Sequence, residues 1–398
     1  MAQNNDTAVR HPLHRLQQAA LLVGVLMSIA SLVGLWLDQA EFFRSYLLGY
    51  VMVSGVAVGC LPLLMLHYLA SGPWGFMLRR FLEAGVWSLP LLALLFVPLL
   101  FGLRQIYVWA DPALVAQDAL LQHKQPYLNV PFFVGRTAVY LLIWAAMAWL
   151  LVRWSRRQDS SDSLDWRARA GKLSGPGLAI YLFTASYAAI DWMMTLEPHW
   201  YSTAYGLVVV TGQLLASLAL ALAAAVWLRD QPPLKELITP GLFHDMGNLL
   251  LGFLLLWMYV VFIQYLVIWS GNLPEEVPWF LHRTQGGWQW VLLSIVLLGF
   301  AAPFLALVST GFQPRIRVLT AVTPLVFIMQ LVNVYWLVMP AFYPDGWTWH
   351  WLHLAAPLAL GSLWLAGAAF YLRRTPLLPQ EDPRLKEIFA ERERHQAA

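Results

Sequence analysis

Charged residues are scarce in this sequence. Asp, Glu, Lys and Arg together make up 12% of its 398 residues, and hydrophobic residues make up 59%. A soluble domain has about a quarter of its residues charged, because even a large core needs a charged shell. The composition therefore excludes an ordinary soluble domain and predicts an all-α membrane protein with many spans.

Cysteine is nearly absent, and histidine is poorly placed for a cofactor. A lone Cys60 excludes a disulfide or a cysteine-ligated cluster within the chain. A b-type haem needs histidines on two helices at matching depth, but His67 is predicted near the inner end of the second span, and His350 and His353 near the outer end of the last. There is also no Rossmann fingerprint, P-loop, HExxH motif or convincing catalytic triad. We therefore expect no metal ligand, no catalytic residue and no cofactor bound by this chain alone.

Long apolar stretches dominate the rest of the sequence. A helix crosses a bilayer with about 20 residues, and ten stretches meet that length. They are residues 16–37, 46–69, 84–103, 132–152, 177–196, 201–228, 246–270, 287–309, 318–339 and 351–372. The first is too long for a signal-peptide core and no clear cleavage site follows it, so we expect a retained helix. The predicted domains are an N-terminal segment 1–15, a ten-helix membrane domain 16–372 and a C-terminal tail 373–398.

The basic residues predict the orientation. With the N-terminus inside, the 25 Lys and Arg residues fall on the inner side except Arg44, Arg104, Lys124, Arg136 and Arg283. This asymmetry follows the positive-inside rule, so both termini are predicted to be cytoplasmic. The net charge of +3 then reflects topology and gives no sign of nucleic-acid binding.

The segment "AIDWMMTLEPHWYSTAYG", residues 189–206, brings ionisable residues into or near the fifth span. Asp191 should lie about 21 Å along the helix from its inner end. Thr184, Tyr187, Asp191 and Thr195 are spaced to share one helix face. An Asp inside the membrane is costly and must face the protein interior or water, which suits a proton carrier. The alternative is a paired Asp that only ties helices together.

Two further pairs of ionisable residues are candidates for a proton path. Glu197 and His199 flank Pro198 at the predicted outer surface, where they either begin such a path or simply cap and anchor the helix. His244 and Asp245 open the seventh span on the inner side and could take protons from the cytoplasm. Asp245 near a helix N-terminus is equally explained by the helix dipole.

Other polar residues suggest interior or surface roles. Tyr259 and Gln264 in the seventh span, and Gln330 and Asn333 in the ninth, are candidates for a polar interior, quinone-side contacts or interhelical hydrogen bonds.

The outer loop "IWSGNLPEEVPWFLHRTQGGW" contains Glu275, Glu276 and Arg283 between its prolines. This composition indicates an ordered loop. We expect it to contact a partner or to stiffen this side of the protein, and we expect no catalysis there.

Three segments together resemble a known family. "LQHKQPYLNVPFFVGRTAVY", "DWMMTLEPHWYSTAYG" and "FIQYLVIWSGNLPEEVPWFLHRTQGGW" are similar to the second large membrane subunit of bacterial alternative complex III, a quinol:cytochrome c oxidoreductase. The resemblance implies two four-helix bundles plus two peripheral helices, as in the membrane subunits of polysulfide reductases, in the bacterial inner membrane. It implies partners that carry the redox chemistry: a paralogous quinol-binding membrane subunit, an iron–sulfur protein and c-type cytochromes with haem c.

For the chain itself, the resemblance implies a polar proton path through Asp191, Glu197, His199 and Asp245. It leaves open whether ubiquinone or menaquinone contacts this subunit, which is not expected to be catalytic alone. Two positions depart from the family pattern: Asn248 stands where Lys is expected, and Ile263 where Ser is expected. Both losses put an intact inner proton path in doubt.

Two other functions compete with this one. A secondary solute or ion transporter is disfavoured by the sparse charge in the spans and by the lack of a convincing internal repeat. A purely structural anchor for the complex is the other alternative.

Overall fold

The structure, a computed structural model, describes residues 2–70, 72–159, 165–232, 234–237, 239–309, 315–378 and 382. Among these residues, ten helices are long and apolar enough to cross a membrane, which confirms the predicted number of spans and indicates a multi-pass membrane protein. They are α1 (Ala2–Leu37), α2 (Gln39–Ala70), α3 (Pro73–Phe101), α4 (Val130–Gln158), α5 (Asp165–Leu196), α6 (Tyr205–Trp227), α7 (Pro240–Gly271), α8 (Trp288–Ser309), α9 (Ile316–Ala341) and α10 (Leu352–Arg374).

The two ends of the protein are defined by its first and last helices. Arg373 Nη1 of α10 donates a hydrogen bond to Gln17 Oε1 of α1 over 2.5 Å, so both helices have their chain-terminal ends on one side. We call this side the terminal face and the opposite side the far face. That the terminal face is cytoplasmic stays a prediction. Most of the predicted tail 373–398 lies outside the described residues.

Short helices cover the far face between the spans. They are Leu103–Ile106, Val108–Ala110, Pro112–Val115 and Ala119–Lys124 before α4, and Val277–Thr284 before α8. Asp118 caps one of them, because its carboxylate accepts hydrogen bonds from the backbone N–H groups of Leu120 at 2.8 Å and Leu121 at 3.2 Å.

Helix α2 lies at the centre of the protein. Its most apolar segment is entirely buried, whereas those of α1, α7 and α8 are mostly exposed on the outside of the helical assembly. Small residues allow the close packing: a Cβ added at Gly59 of α2 would lie 2.5 Å from the backbone oxygen of Gln213 in α6. Such contacts are typical of membrane helices, whose association depends on packing rather than on the hydrophobic effect.

Helix α3 is interrupted in its middle. The helical segments Pro73–Trp87 and Leu89–Phe101 meet at Ser88, and Pro90 follows at once. The Ser88 hydroxyl donates to the backbone oxygen of Gly85 over 2.6 Å, while proline cannot supply the backbone N–H that a continuous helix needs. The break leaves a groove between α3 and α4 on the lipid-facing side.

Candidate functional site

Asp191 sits in the last turn of the regular part of α5, where the helix gives way to a short 3₁₀ turn, Met194–Leu196. Thr195 helps to end the helix there, since its hydroxyl donates to the backbone oxygen of Asp191 over 2.6 Å. Pro198 follows and lacks the backbone N–H that another turn would need. The ending holds the Asp191 side chain inside the protein, toward α4.

The Asp191 carboxylate is fully buried and fully bonded. Arg136 of α4 binds both oxygens, Nε to Oδ2 and Nη2 to Oδ1, each over 2.9 Å. Tyr127 donates to Oδ1 over 3.0 Å and Tyr140 to Oδ2 over 2.9 Å. A buried carboxylate needs such compensation, because an unpaired charge in an apolar interior is very costly.

Arg136 is itself held in place. Its Nη1 donates to the backbone oxygen of Tyr127 over 2.9 Å, and the guanidinium lies 3.8 Å from the Tyr127 ring centroid and 4.3 Å from that of Phe132. A guanidinium stays charged at every physiological pH. A proton arriving at Asp191 would have to displace one of these bonds, so the geometry favours a tie between α4 and α5 over a proton carrier.

The predicted polar face of α5 is only partly present. Asp191 and Thr195 are buried, and the Thr184 hydroxyl accepts a hydrogen bond from Trp144 Nε1 over 2.9 Å. Tyr187, in contrast, is 49% exposed on the outer surface of the helices. Its expected place on the interior face was wrong, because a tyrosine in a membrane protein tolerates a lipid-facing position that an ionised side chain does not.

Glu197 pairs with a different arginine. Its Oε2 accepts from Arg283 Nη2 over 2.5 Å, and its Oε1 lies 3.4 Å from His282 Nδ1. Arg283 is buried, stacks 3.8 Å from the Trp279 ring centroid and donates to the backbone oxygen of Leu337 over 3.0 Å. Arg283 was expected in a partner-contact loop. It fastens that loop to the end of α9, which agrees with the alternative that the loop stiffens this side of the protein.

His199 lies at the surface of the far face. Its Nε2 is 2.7 Å from Asp118 Oδ2, and Lys124 Nζ donates to the backbone oxygen of Pro198 over 2.6 Å. Burial alone would raise the pKa of Asp118, but the Leu121 and Leu120 amides and His199 together lower it. Burial lowers the pKa of the Lys124 ammonium.

An open cleft of about 780 Å³ brings several of these residues together on the far face. Its polar lining is Asp118, Glu197, His199, Glu275 and His282, and its apolar walls include Trp200 and Trp279. Glu275 is exposed and Glu276 is half-buried beside it. The structure thus joins the Glu197–His199 pair to the loop that the sequence treats separately.

Asp245 and His244 lie elsewhere, at the start of α7 on the terminal face. Asp245 is 60% exposed, and its Oδ1 is 3.7 Å from His244 Nδ1. Asn248 Nδ2 is 3.2 Å from the same imidazole nitrogen, so the residue that departs from the family pattern contacts the predicted proton acceptor. Of the four residues of the implied path, Glu197 and His199 share the far-face cleft, Asp191 lies apart from them in the interior, and Asp245 lies on the opposite face.

The deeper polar residues divide between the interior and the surface. Tyr259 is 64% exposed, so its expected place in a polar interior was wrong. Gln264 is buried and accepts from the Ser202 hydroxyl over 3.2 Å. Gln330 and Asn333 are buried and line a cavity of about 20 Å³ between α2, α6 and α9. Such a volume holds about one water molecule.

The sequence did not reveal a buried carboxylate–imidazole pair on the far face. Glu41 of α2 and His353 of α10 are both buried, with Oε1 and Nε2 2.6 Å apart. Tyr343 donates to Glu41 Oε2, and Arg44 Nη1 lies 3.8 Å from the same oxygen. The Tyr335 hydroxyl is 3.4 Å from His353 Nδ1. Glu41 in the first turn of a helix looks like simple dipole stabilisation, so nothing local pointed to the pair.

A second unforeseen cluster lies toward the terminal face. Glu83, Arg79 and Arg80 of α3 are all fully buried. Glu83 pairs with Arg79 over 3.0 Å and with Arg80 over 2.7 Å, and Tyr371 of α10 donates to it over 3.0 Å. Arg79 also lies 3.2 Å from Asp382. The two arginines had been interpreted only as a topology signal, but they neutralise buried carboxylates.

Within the described part of the chain, no group of three or more His, Cys, Asp or Glu residues is arranged to hold a metal ion. In comparisons with known proteins, no family model matches the chain, and no curated protein sequence matches it at a significant level. The resemblance to alternative complex III therefore rests on the three quoted motifs.

Proposed function

We propose that the chain is a membrane subunit of a bacterial respiratory complex that passes electrons from quinol to cytochrome c or an oxidase. In that complex it carries no redox centre and supplies proton-exchanging groups. The observation that carries the proton role is the buried Glu41–His353 pair, with Oε1 and Nε2 2.6 Å apart between α2 and α10. The three motifs that resemble alternative complex III support the assignment to the complex.

The Glu41–His353 pair suits proton exchange because both partners can gain and lose a proton. A neutral imidazole accepts a proton at one ring nitrogen and donates one from the other, so His353 can pass a proton between groups bonded to its two nitrogens. Hydroxyl groups adjoin both ends: Tyr343 donates to Glu41, and the Tyr335 hydroxyl is 3.4 Å from His353 Nδ1. The result is a row of four exchangeable groups inside the protein.

The row can reach the surface of the far face through Tyr343, which is half-buried in the loop after α9. Burial and the hydrogen bond to Glu41 raise the pKa of Tyr343, so its hydroxyl stays protonated and remains a donor. Asp191 lacks this capacity, since its partner Arg136 does not release protons. We therefore assign proton exchange to Glu41 and His353. Asp191 instead holds α4 and α5 together.

The proposal includes the two four-helix bundles of the family. Support comes from packing of α2 on α3 and α5 and of α4 on α5 for the first bundle. For the second, α6 packs on α7 and α9, and α8 packs on α9. Helices α1 and α10 pair closely with each other and would be the two additional helices, although α10 also packs on α2 and α3.

The far-face cleft fits contact with a quinone head group. Quinone carbonyls accept hydrogen bonds, and His199 and His282 supply donors between the apolar walls of Trp200 and Trp279. A ubiquinone or menaquinone bound there would bring redox chemistry that this chain lacks. In the proposal, quinol oxidation belongs to the paralogous membrane subunit, and this chain would only hold and orient a head group.

Affinity purification tests the assignment to a complex. The tagged chain, expressed in its native bacterium and extracted in mild detergent, should co-purify with a paralogous membrane subunit, an iron–sulfur protein and c-type cytochromes. Haem c absorption and iron analysis of the purified material give the readout. Recovery of a lone oligomer would support the transporter alternative and contradict the proposal. A structural anchor would give the same complex, and the ratio of protons released to electrons transferred separates the two roles.

A further inference from the structure

A groove of about 450 Å³ lies between α3 and α4, toward the terminal face. It lies beside the break of α3 at Ser88, where Val86, Trp87 and Pro90 line it. Its apolar walls include Trp87 and Pro90 from α3 and Ala145 and Trp149 from α4. This groove is separate from the Glu41–His353 pair and from the far-face cleft.

Three arginines lie at the mouth of the groove. Arg153, Arg156 and Arg157 occupy the last turns of α4 and are all exposed. Their spacing places them on neighbouring positions of one helix surface. An aromatic ring supports each guanidinium: Arg153 lies 4.8 Å from the Trp149 ring centroid, and Arg156 lies 5.0 Å from that of Tyr371. Arg157 lies 4.7 Å from the Trp166 ring centroid.

These arginines differ from their neighbours inside the protein. Arg80 is buried and paired with Glu83 over 2.7 Å and with Asp159 over 2.5 Å. Glu83 and Asp159 therefore face a buried arginine. Arg153 and Arg156 instead point their charge toward the mouth of the groove, where an anion can reach them.

The groove has an apolar part that matches the acyl chains of a phospholipid and a cationic part, nearer the terminal face, that matches its phosphate. Trp149 is 58% exposed and Trp87 is 40% exposed on its two walls. Tryptophan is typical of the level between the hydrocarbon and the head groups. Arg153 lies one turn beyond Trp149 toward the terminal face, and Arg156 and Arg157 lie two turns beyond it. A basic pocket between membrane helices at the cytoplasmic side is the usual site for an anionic lipid head group.

We infer that this groove binds an anionic phospholipid. Its phosphate contacts Arg153, Arg156 and Arg157, and an acyl chain lies between Trp87 and Trp149. A free phosphate would use only the arginines and leave the apolar walls uncovered. The site does not depend on the proposed respiratory function.

Native mass spectrometry of the full-length chain tests the site. The protein, reconstituted in vesicles of phosphatidylglycerol and phosphatidylcholine, should retain phosphatidylglycerol after extraction. The variant Arg153→Gln/Arg156→Gln/Arg157→Gln should bind it on the order of a hundredfold more weakly, because each basic residue near an anionic lipid surface is worth about 1 kcal/mol. The matched control Arg229→Gln/Lys235→Gln/Arg317→Gln loses the same charge elsewhere on the terminal face and should retain the lipid.

Two further experiments test whether the bound anion is a lipid or a free phosphate, and whether the apolar groove contributes to binding. Inorganic phosphate in excess should not displace the lipid, and Ala145→Phe, which fills the groove and leaves the arginines in place, should weaken retention. Thermal unfolding in detergent confirms that each variant is folded. Equal retention by the two triple variants, or displacement by inorganic phosphate, would overturn the inference. So would a chain that binds no phosphatidylglycerol while a protein subunit fills the groove in the assembled complex.

Discussion

At the residue scale, two buried carboxylates differ in the cation that faces them. Asp191 faces the Arg136 guanidinium with both oxygens at 2.9 Å, whereas Glu41 has the His353 imidazole at 2.6 Å and the Arg44 guanidinium farther away at 3.8 Å. Guanidinium keeps its proton at physiological pH, whereas imidazole exchanges it. A buried carboxylate therefore stabilises the fold at one site and, in the proposed function, exchanges protons at the other.

Breaking the Asp191 pair should destabilise the protein. In Arg136→Gln, the carboxylate stays buried without its charged partner, and such a loss typically costs about 3–5 kcal/mol. We expect a clearly lower unfolding temperature in detergent. Tyr187→Phe, on the exposed side of the same helix α5, should match the wild type.

The double variant Asp191→Asn/Arg136→Gln sharpens this test. It removes both charges together and should recover part of the stability that either single variant loses, which a double-mutant cycle measures. If Arg136→Gln unfolded at the wild-type temperature, Asp191 would not be a helix tie.

At the element scale, hydropathy predicts where the membrane spans lie, but it says little about which helices and side chains they contact. All ten helices appear at the expected places because each must cover the same apolar thickness. The face that each helix turns inward was harder to predict: Tyr187 and Tyr259 are exposed, although polar spacing had suggested interior positions. Pairs such as Glu41–His353 join residues far apart in sequence, so no local pattern marks them.

Close contact between α2 and α6 gives a prediction about helix packing. A Cβ at Gly59 would lie 2.5 Å from the backbone oxygen of Gln213 and 2.4 Å from the Ser217 hydroxyl, so any side chain must push the helices apart. Gly59→Val should lower stability by about 1–3 kcal/mol. Thermal unfolding in detergent measures the loss. Gly367→Val, at a position of α10 with no neighbour that a Cβ would meet, is the control. Equal stability of the two variants would contradict this packing.

Orientation is also a property of the elements, because each loop lies on one side of the membrane. In a Cys60→Ala background, Gln117→Cys on the far face should react with a membrane-impermeant maleimide in intact spheroplasts. Asp230→Cys, between α6 and α7 on the terminal face, should react only after lysis. The opposite pattern would show that the basic residues do not predict the topology of this chain.

At the scale of the whole molecule, the buried charges among the described residues lie at a few sites around a packed centre. Glu41 and Asp191 lie toward the far face, and Glu83 with its two arginines lies toward the terminal face. Between them, Gln330 and Asn333 line a cavity of about 20 Å³. This distribution suits a subunit that exchanges protons near its surfaces and leaves the redox chemistry to its partners.

Proton release by the reconstituted complex tests the central claim most directly. The ratio of protons released to electrons transferred is measured with quinol and cytochrome c for wild type, Glu41→Gln and the half-buried control Glu276→Gln. If Glu41 and His353 exchange protons, the Glu41→Gln complex assembles with its haem c spectrum intact, and its ratio falls severalfold while the control keeps the wild-type ratio. A fully assembled Glu41→Gln complex with the wild-type ratio would contradict the proton role and leave the chain as a structural anchor.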